Sequence, residues 1–245
     1  MDMPVIIEVV DSQATEKVFN EIFNYFTYID NTFSPFKKTS ELTKINQGIL
    51  QKEDWSRDMK TVFKLCEQTG KETLGYFNTE KDRQFDPLGL VKGWAINNAA
   101  NILKTKGFKN FYVEAGGDIQ VSGKNKENKL WRIGIKNPFN PKQNIKIITL
   151  SSQGVATSGT YLRGQHIRNP FVPKKEINDI ISLTVIGPDI YEADRFATAA
   201  FAMGKRGINF IENLPGFAGY MIDNKSVAFF TSNFKDFVYK NDKTN

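Results

Sequence analysis

Cysteine and histidine are almost missing from these 245 residues: Cys66 is the only thiol and His166 the only imidazole. One thiol cannot close a disulfide within the chain, and zinc sites built from four cysteines or from paired cysteines and histidines are excluded. Cys66 lies in an apolar periodic stretch from Asp58 to Thr69 and reads as a small core residue, not a nucleophile. No run approaches the roughly 20 apolar residues of a membrane-spanning helix. The opening MDMPVIIEVVDSQ lacks the basic flank, long apolar stretch and lipobox cysteine of an export signal. The chain as given is therefore expected in the cytoplasm, or exported or membrane-associated if a further segment precedes it. A phosphate-binding GxxxxGK[ST] loop, a GxGxxG turn after a strand and a G-x-S-x-G serine elbow are all missing. So are zinc-finger spacings and a basic stripe, which leaves nucleic acid off the expected partners.

What is present suits a globular fold, with 40% hydrophobic and 24% charged residues. Basic residues number 33 against 27 acidic ones, and the net charge of +6 looks scattered along the chain. A solvated basic surface accounts for it; the sharper reading is attraction to a pyrophosphate-like anion or an acidic partner. Apolar spacing at Val18, Ile22, Tyr25, Phe26, Ile29 and Phe33 predicts a helix from about Ser12 to Thr32, after a first strand. Ser34-Pro35 ends it, and Ser40 is placed to cap a short helix through SELTKIN. Val91, Trp94, Ala95, Ala99, Ile102 and Leu103 mark one face of a later helix, with Gly107 as its stop. Strands follow: FYVEA and DIQVSG about a Gly-Gly turn, then LWRIGIKNP and NIKIITLSS. The stretch QGVATSGTYLRGQHIRNP reads as a loop. ISLTVIG is a buried strand, a small-residue helix runs from Tyr191 to Met203, and two strands close the chain. Together these predict one α+β (α/β) domain over residues 1–245, with mixed and antiparallel sheets and flanking helices.

Four places could carry chemistry. In EADRFATAAFAMG, Asp194 and Thr198 stand four residues apart, so both oxygens leave one helix face as hard donors suited to Mg2+. Alone, that spacing is as well explained by a solvated carboxylate and a core-facing threonine. FDPLGLVKGWAIN leads from Asp86 through a turn at Gly89 into a helix start near Val91, with Lys92 in its first turn, an anion-favouring arrangement. A turn-capping Asp and a solvated Lys would give the same pattern. VEAGGDI sets Gly116 and Gly117 before Asp118, which is either a site of close ligand approach or a plain hairpin turn. GVATSGTYLRGQHIRNP gathers Thr157, Ser158, Gly159, Arg163 and His166, a phosphate-friendly set in which the histidine could equally be structural.

The wording and order of these elements resemble the FAD:protein FMN transferases, the ApbE-like family, from about residue 30 to residue 222. SPFKKTSELTKIN is similar to the family's S-x-Y-x-x-x-S-E-L-x-x-x-N, and DPLGLVKGWAIN to its D-x-x-G-x-x-K-G-Y-A-x-D. EAGGDIQVSG resembles G-G-D-I-x-x-x-G, LWRIGIKNP resembles W-x-I-G-I-x-x-P, and ATSGTYLR with HIRNP resembles T-S-G-x-x-x-R and H-I-x-x-P. LTVIGPDIYEADRFATAAFAMG resembles the closing D-A-x-A-T-A-x-F-x-x-G, with Arg195 in place of its first alanine. The resemblance implies two closely packed lobes around a flavin cleft and Mg2+ held by Asp194, Thr198 and the Gly89 carbonyl. It implies FAD contacts from Phe36, Asp86, Lys92, Gly116, Gly117, Asp118, Thr157, Ser158, Gly159 and His166. Lys92, His166 and Asp194 become the candidate catalytic residues. The implied reaction moves FMN from FAD to a threonine of an acceptor flavoprotein and releases AMP. A Mg2+-dependent FAD pyrophosphatase and a noncatalytic flavin-binding assembly protein are the alternatives. Three departures stand out: a short segment between Phe77 and Asp86, Phe36 where the family has tyrosine, and Asn97 where it has aspartate.

Overall fold

The computed structural model describes residues 3–81, 84–161, 164 and 167–240. His166 and Arg163 lie outside the described residues. In chain order the elements are β1 (Val5–Val9), α1 (Glu16–Phe33), α2 (Glu41–Asn46), α3 (Arg57–Glu72), β2 (Glu80–Lys81), β3 (Gln84–Phe85) and α4 (Leu88–Thr105). Then follow β4 (Phe111–Ala115), β5 (Asp118–Ser122), β6 (Trp131–Asn137), β7 (Asn140–Leu150), β8 (Gly154–Gly159) and β9 (Ile180–Gly187). The chain closes with α5 (Ile190–Ala202), α6 (Gly207–Glu212), β10 (Ala218–Asp223) and β11 (Ala228–Phe230).

Seven strands form one sheet in the order β1-β4-β5-β8-β9-β10-β11, while β2-β3 and β6-β7 pair separately. Among the described residues every named strand pair is antiparallel, so of the expected mixed and antiparallel sheets only the second kind occurs. Strand alternation sends side chains to opposite faces, and each face buries its own apolar cluster. On one face Phe111, Val113, Ala156, Leu183 and Val185 pack under α1, α3, α4, α5 and α6. On the other, Ile119, Val121, Val155, Ile186 and Tyr220 pack under the β6-β7 hairpin and Phe234.

α1 buries Val18, Ile22, Phe26, Ile29 and Phe33, the stripe that its sequence spacing announces. Each such side chain contributes about 1.5–3 kcal/mol on burial. Ser40 caps α2 by accepting the Thr43 N–H at 3.1 Å. Gly107 ends the α4 region with φ at +88°, a conformation that costs glycine little.

Two expectations are corrected. Gly154–Gly159 is a strand interior to the sheet, not loop: β8 pairs with β5 through Val155 and with β9 along its whole length. Its Gly, Thr and Ser composition signals a turn, but the site is selected by packing. A Cβ on Gly154 would lie 2.1 Å from the Ile190 backbone nitrogen, so only glycine lets β8 run beneath the start of α5. Helix α4 begins at Leu88, not near Val91, because Pro87 presets the turn and Asp86 accepts the Leu88 N–H at 3.1 Å. Lys92 therefore stands in the second turn. The short segment between Phe77 and Asp86 contains the β2-β3 pair.

Candidate functional site

A cleft of about 800 Å³ opens where the ends of α1 and β8 meet α4 and α5. That volume is at the upper end for small-molecule sites, enough for a dinucleotide. Its wall contains Asp86, Gly89, Lys92, Asp194 and Thr198, and also Gly116, Thr157, Ser158 and Gly159. Phe36 stands at the rim, 88% exposed, with its ring unobstructed. Two expected members are placed differently. Gly117 is at the exposed apex of its turn, outside the lining, with φ at +92°. Asp118 is buried, outside the lining, and pairs with Lys92 at the cleft wall.

Asp194 and Thr198 project from the same side of α5, one turn apart. Asp194 Oδ2 accepts the Gly93 N–H at 2.8 Å, and Thr198 Oγ1 donates to the Gly89 carbonyl at 3.2 Å. In a regular helix the Gly93 N–H is the donor for the Gly89 carbonyl. Here α5 engages both groups from outside α4. The crossing is close because Gly93 has no side chain: a Cβ there would come within 2.6 Å of Asp194 Cβ and 2.8 Å of the Ile190 carbonyl. Gly93 is thus the residue that sets this close crossing; in the sequence it stands only as one glycine of the pattern D-x-x-G-x-x-K-G-Y-A-x-D, with no role attached. A glycine kept inside a helix, at a cost near 1 kcal/mol against alanine, is the further signal.

Lys92 Nζ forms an ion pair with Asp118 Oδ2 and lies 3.5 Å from Asp194 Oδ1. Asp118 Oδ1 in turn accepts the Thr157 N–H at 3.2 Å, and Thr157 Oγ1 shares a 2.8 Å hydrogen bond with Thr184 Oγ1. Burial pushes the Asp194 carboxyl above the ordinary carboxylate range; Lys92 opposes this and the like charge of Asp118 reinforces it. Among the described residues two buried carboxyl groups thus face one ammonium, so with both ionised the cleft wall carries a deficit of positive charge, relieved either by a proton on Asp194 or by a further cation.

That deficit fits an added cation. The Asp194 carboxylate, Thr198 hydroxyl and Gly89 carbonyl are hard oxygen donors of the kind that Mg2+ takes. Among the described residues no group of three or more His, Cys, Asp or Glu could hold a metal. A set this sparse suits Mg2+, which retains waters or phosphate oxygens, better than a metal caged by protein alone.

Beside the site, Arg195 is buried and binds outward from α5. It donates to Glu192 Oε2 from Nε and Nη2 at 2.9 and 2.6 Å, to Thr69 Oγ1 at 3.2 Å, and to Glu72. Phe196 offers its ring face to the same guanidinium at 4.0 Å. Arg195 thus ties the helix of Asp194 and Thr198 to α3.

An antiparallel sheet with helices on one face and a hairpin on the other, bearing this oxygen cluster between two crossed helices, defines a class that comparison identifies. The model of the ApbE family matches residues 78–221, more than half of the sequence, and the chain belongs to that family. A FAD:protein FMN transferase of Vibrio cholerae serotype O1 is 31% identical over 163 residues, covering 62% of this chain and 49% of the relative. Another of that name from Klebsiella pneumoniae is 28% identical over 193 residues, covering 71% and 55%. The chain thus spans about half the length of these curated relatives. Among solved structures, the flavin transferase ApbE from Vibrio cholerae superposes with a TM-score of 0.84 at 23% identity, covering 97% of this chain and 96% of that one. The ApbE protein from Thermotoga maritima gives 0.83 at 21%, covering 98% and 100%. At those identities the likeness bears on the fold.

Proposed function

We propose that this protein transfers FMN from FAD to a threonine hydroxyl of an acceptor flavoprotein, releasing AMP, with Mg2+ at the cluster of Asp194, Thr198 and Gly89. The observation that carries the reading is the convergence of those three oxygens on a cleft of about 800 Å³, in a chain whose relatives are named for flavin transfer. Mg2+ held there would offset and align charge on the FAD pyrophosphate. Lys92 supplies a fixed positive charge at the wall, and the amides at the start of α4 favour phosphate oxygens. Phe36 offers an exposed aromatic face on which a flavin ring can stack. Asp86 and the Gly116, Thr157, Ser158 and Gly159 edge position the rest of the dinucleotide.

In the reaction the acceptor threonine oxygen bonds to the FMN phosphorus and the hydroxyl proton is released. The bridging P–O bond breaks with its electron pair going to AMP. Mass spectrometry of an acceptor flavoprotein incubated with FAD, Mg2+ and this protein tests the reading: a threonine peptide heavier by one FMN is expected. FMN and AMP formed at the same rate without acceptor would assign a pyrophosphatase. FAD bound and never consumed would assign a carrier.

A further inference from the structure

The excess positive charge, expected to be scattered along the chain, is instead concentrated in one stretch. Residues 124–146 hold seven basic residues and a single acid, Glu127, so this stretch accounts for the whole net charge of +6. The rest of the chain has equal numbers of acidic and basic residues. Lys124, Lys126, Lys129, Arg132, Lys136, Lys142 and Lys146 are all exposed along the turn before β6, the β6-β7 hairpin and its tip. Of these seven, and among the described residues, only Lys129 has a carboxylate within ion-pair distance, that of Glu127 at 3.4 Å. Large apolar side chains are interspersed with these cations: Leu130, Ile147 and, at the two-residue tip of the hairpin, Phe139 at 54% exposure.

The scaffold beneath is tied by hydrogen bonds and apolar packing. Asn125 Oδ1 accepts the N–H groups of Glu127 and Lys129, each at 3.0 Å, and Asn137 Oδ1 accepts that of Phe139 at 3.0 Å. The inner side of the hairpin is anchored through Trp131, Ile133, Ile135, Ile148 and Leu150 on the sheet face away from α4 and α5.

We propose that this hairpin and the turn leading into it form a docking surface for an anionic lipid bilayer. Six of the seven cations are lysines, flexible point charges suited to a fluid array of headgroups; a fixed carboxylate pattern would favour the planar fork of arginine. An exposed Phe139 between Lys136 and Lys142 supplies the second, apolar signal that reversible interfacial binding needs. Docking there leaves α4, α5 and the cleft on the other side of the sheet.

The test is sedimentation of the full chain with vesicles of phosphatidylcholine alone or mixed with phosphatidylserine. Binding is expected only to the mixed vesicles, with release by salt. K136E/K142E should weaken it about tenfold or more, and Phe139→Ser severalfold at unchanged charge. K17E/K64E, an equal charge change on α1 and α3, should retain binding. No binding to the mixed vesicles, or equal loss in both double variants, overturns the proposal. So does binding of polyglutamate or an oligonucleotide by this surface while vesicles are ignored, which would reassign it to an acidic protein or a nucleic acid.

Discussion

Asp194 is buried and yet lines the cleft together with Thr198 and Gly89. The structure reconciles the two with one hydrogen bond from Gly93 N–H and with Lys92 at 3.5 Å. Asp194→Ala removes the only carboxylate in the proposed donor set. FMN transfer and Mg2+ affinity, read by mass spectrometry and calorimetry, are both expected to fall about a hundredfold or more, since even residues that merely support a metal ligand are worth 10–100-fold. Gly93→Ala acts differently. Its methyl would sit 2.6 Å from Asp194 Cβ, so α4 and α5 must separate, costing about 1–3 kcal/mol in urea unfolding together with transfer activity. A variant with wild-type stability and transfer would show that the crossing is not tight. Asp194 and Thr198 were legible in the sequence because four-residue spacing is a local property. The role of Gly93 was not, although a family pattern includes that glycine, because it depends on a contact 101 residues away. Thr184, which meets Thr157 across β8 and β9, was hidden for the same reason.

Helices and strands here are joined by a few polar ties whose loss can be measured. Arg195, buried between α3 and α5, satisfies Glu192, Glu72 and Thr69 together. Arg195→Met would leave the half-buried Glu192 without its guanidinium partner, and a loss of about 3 kcal/mol in urea unfolding is expected. A change under about 0.5 kcal/mol would mean that the network adds nothing. At the end of β1, Asp11 accepts the N–H groups of Lys109 and Asn110 at 3.0 and 2.8 Å and so fixes the entry to β4. Desolvation works to raise its carboxyl, but these bonds and that from the Asn110 side chain outweigh it and hold it below the usual 3.8. A lowered folded value means stability present above the unfolded value and lost as pH falls through the folded one. Asp11→Ala should therefore cost about 1–2 kcal/mol near neutrality, at the low end because the group is partly solvated. The gap between variant and wild type should close as pH falls below the usual carboxylate range; a gap unchanged with pH would assign the effect to packing. Elements with strong apolar periodicity, α1 and α4 above all, were readable from the sequence. β8 was not, since Gly154, Ser158 and Gly159 are there to admit neighbours, and small or polar residues chosen for close approach look like a turn.

The whole molecule divides its labour across one sheet: helices and cleft on one face, hairpin and net charge on the other. The cleft unites residues far apart in the chain, from Phe36 through Lys92 to Thr198, so a ligand that fills it bridges elements that must separate on unfolding. Binding to the folded chain alone stabilises by RT ln(1 + [L]/Kd), about 2.7 kcal/mol at a hundredfold excess over Kd. For a chain of this size each kcal/mol raises Tm by about 2–4 °C, so saturating FAD with Mg2+ should raise it by about 5–10 °C. If the cation deficit at Asp194 and Asp118 is what Mg2+ fills, FAD alone should give a smaller rise, because the pyrophosphate would bring more negative charge to the wall. Asp194→Ala should then retain the rise with FAD alone and gain nothing further from Mg2+. An equal Mg2+-dependent gain in that variant, followed by differential scanning fluorimetry, would assign the metal to oxygens other than those of Asp194.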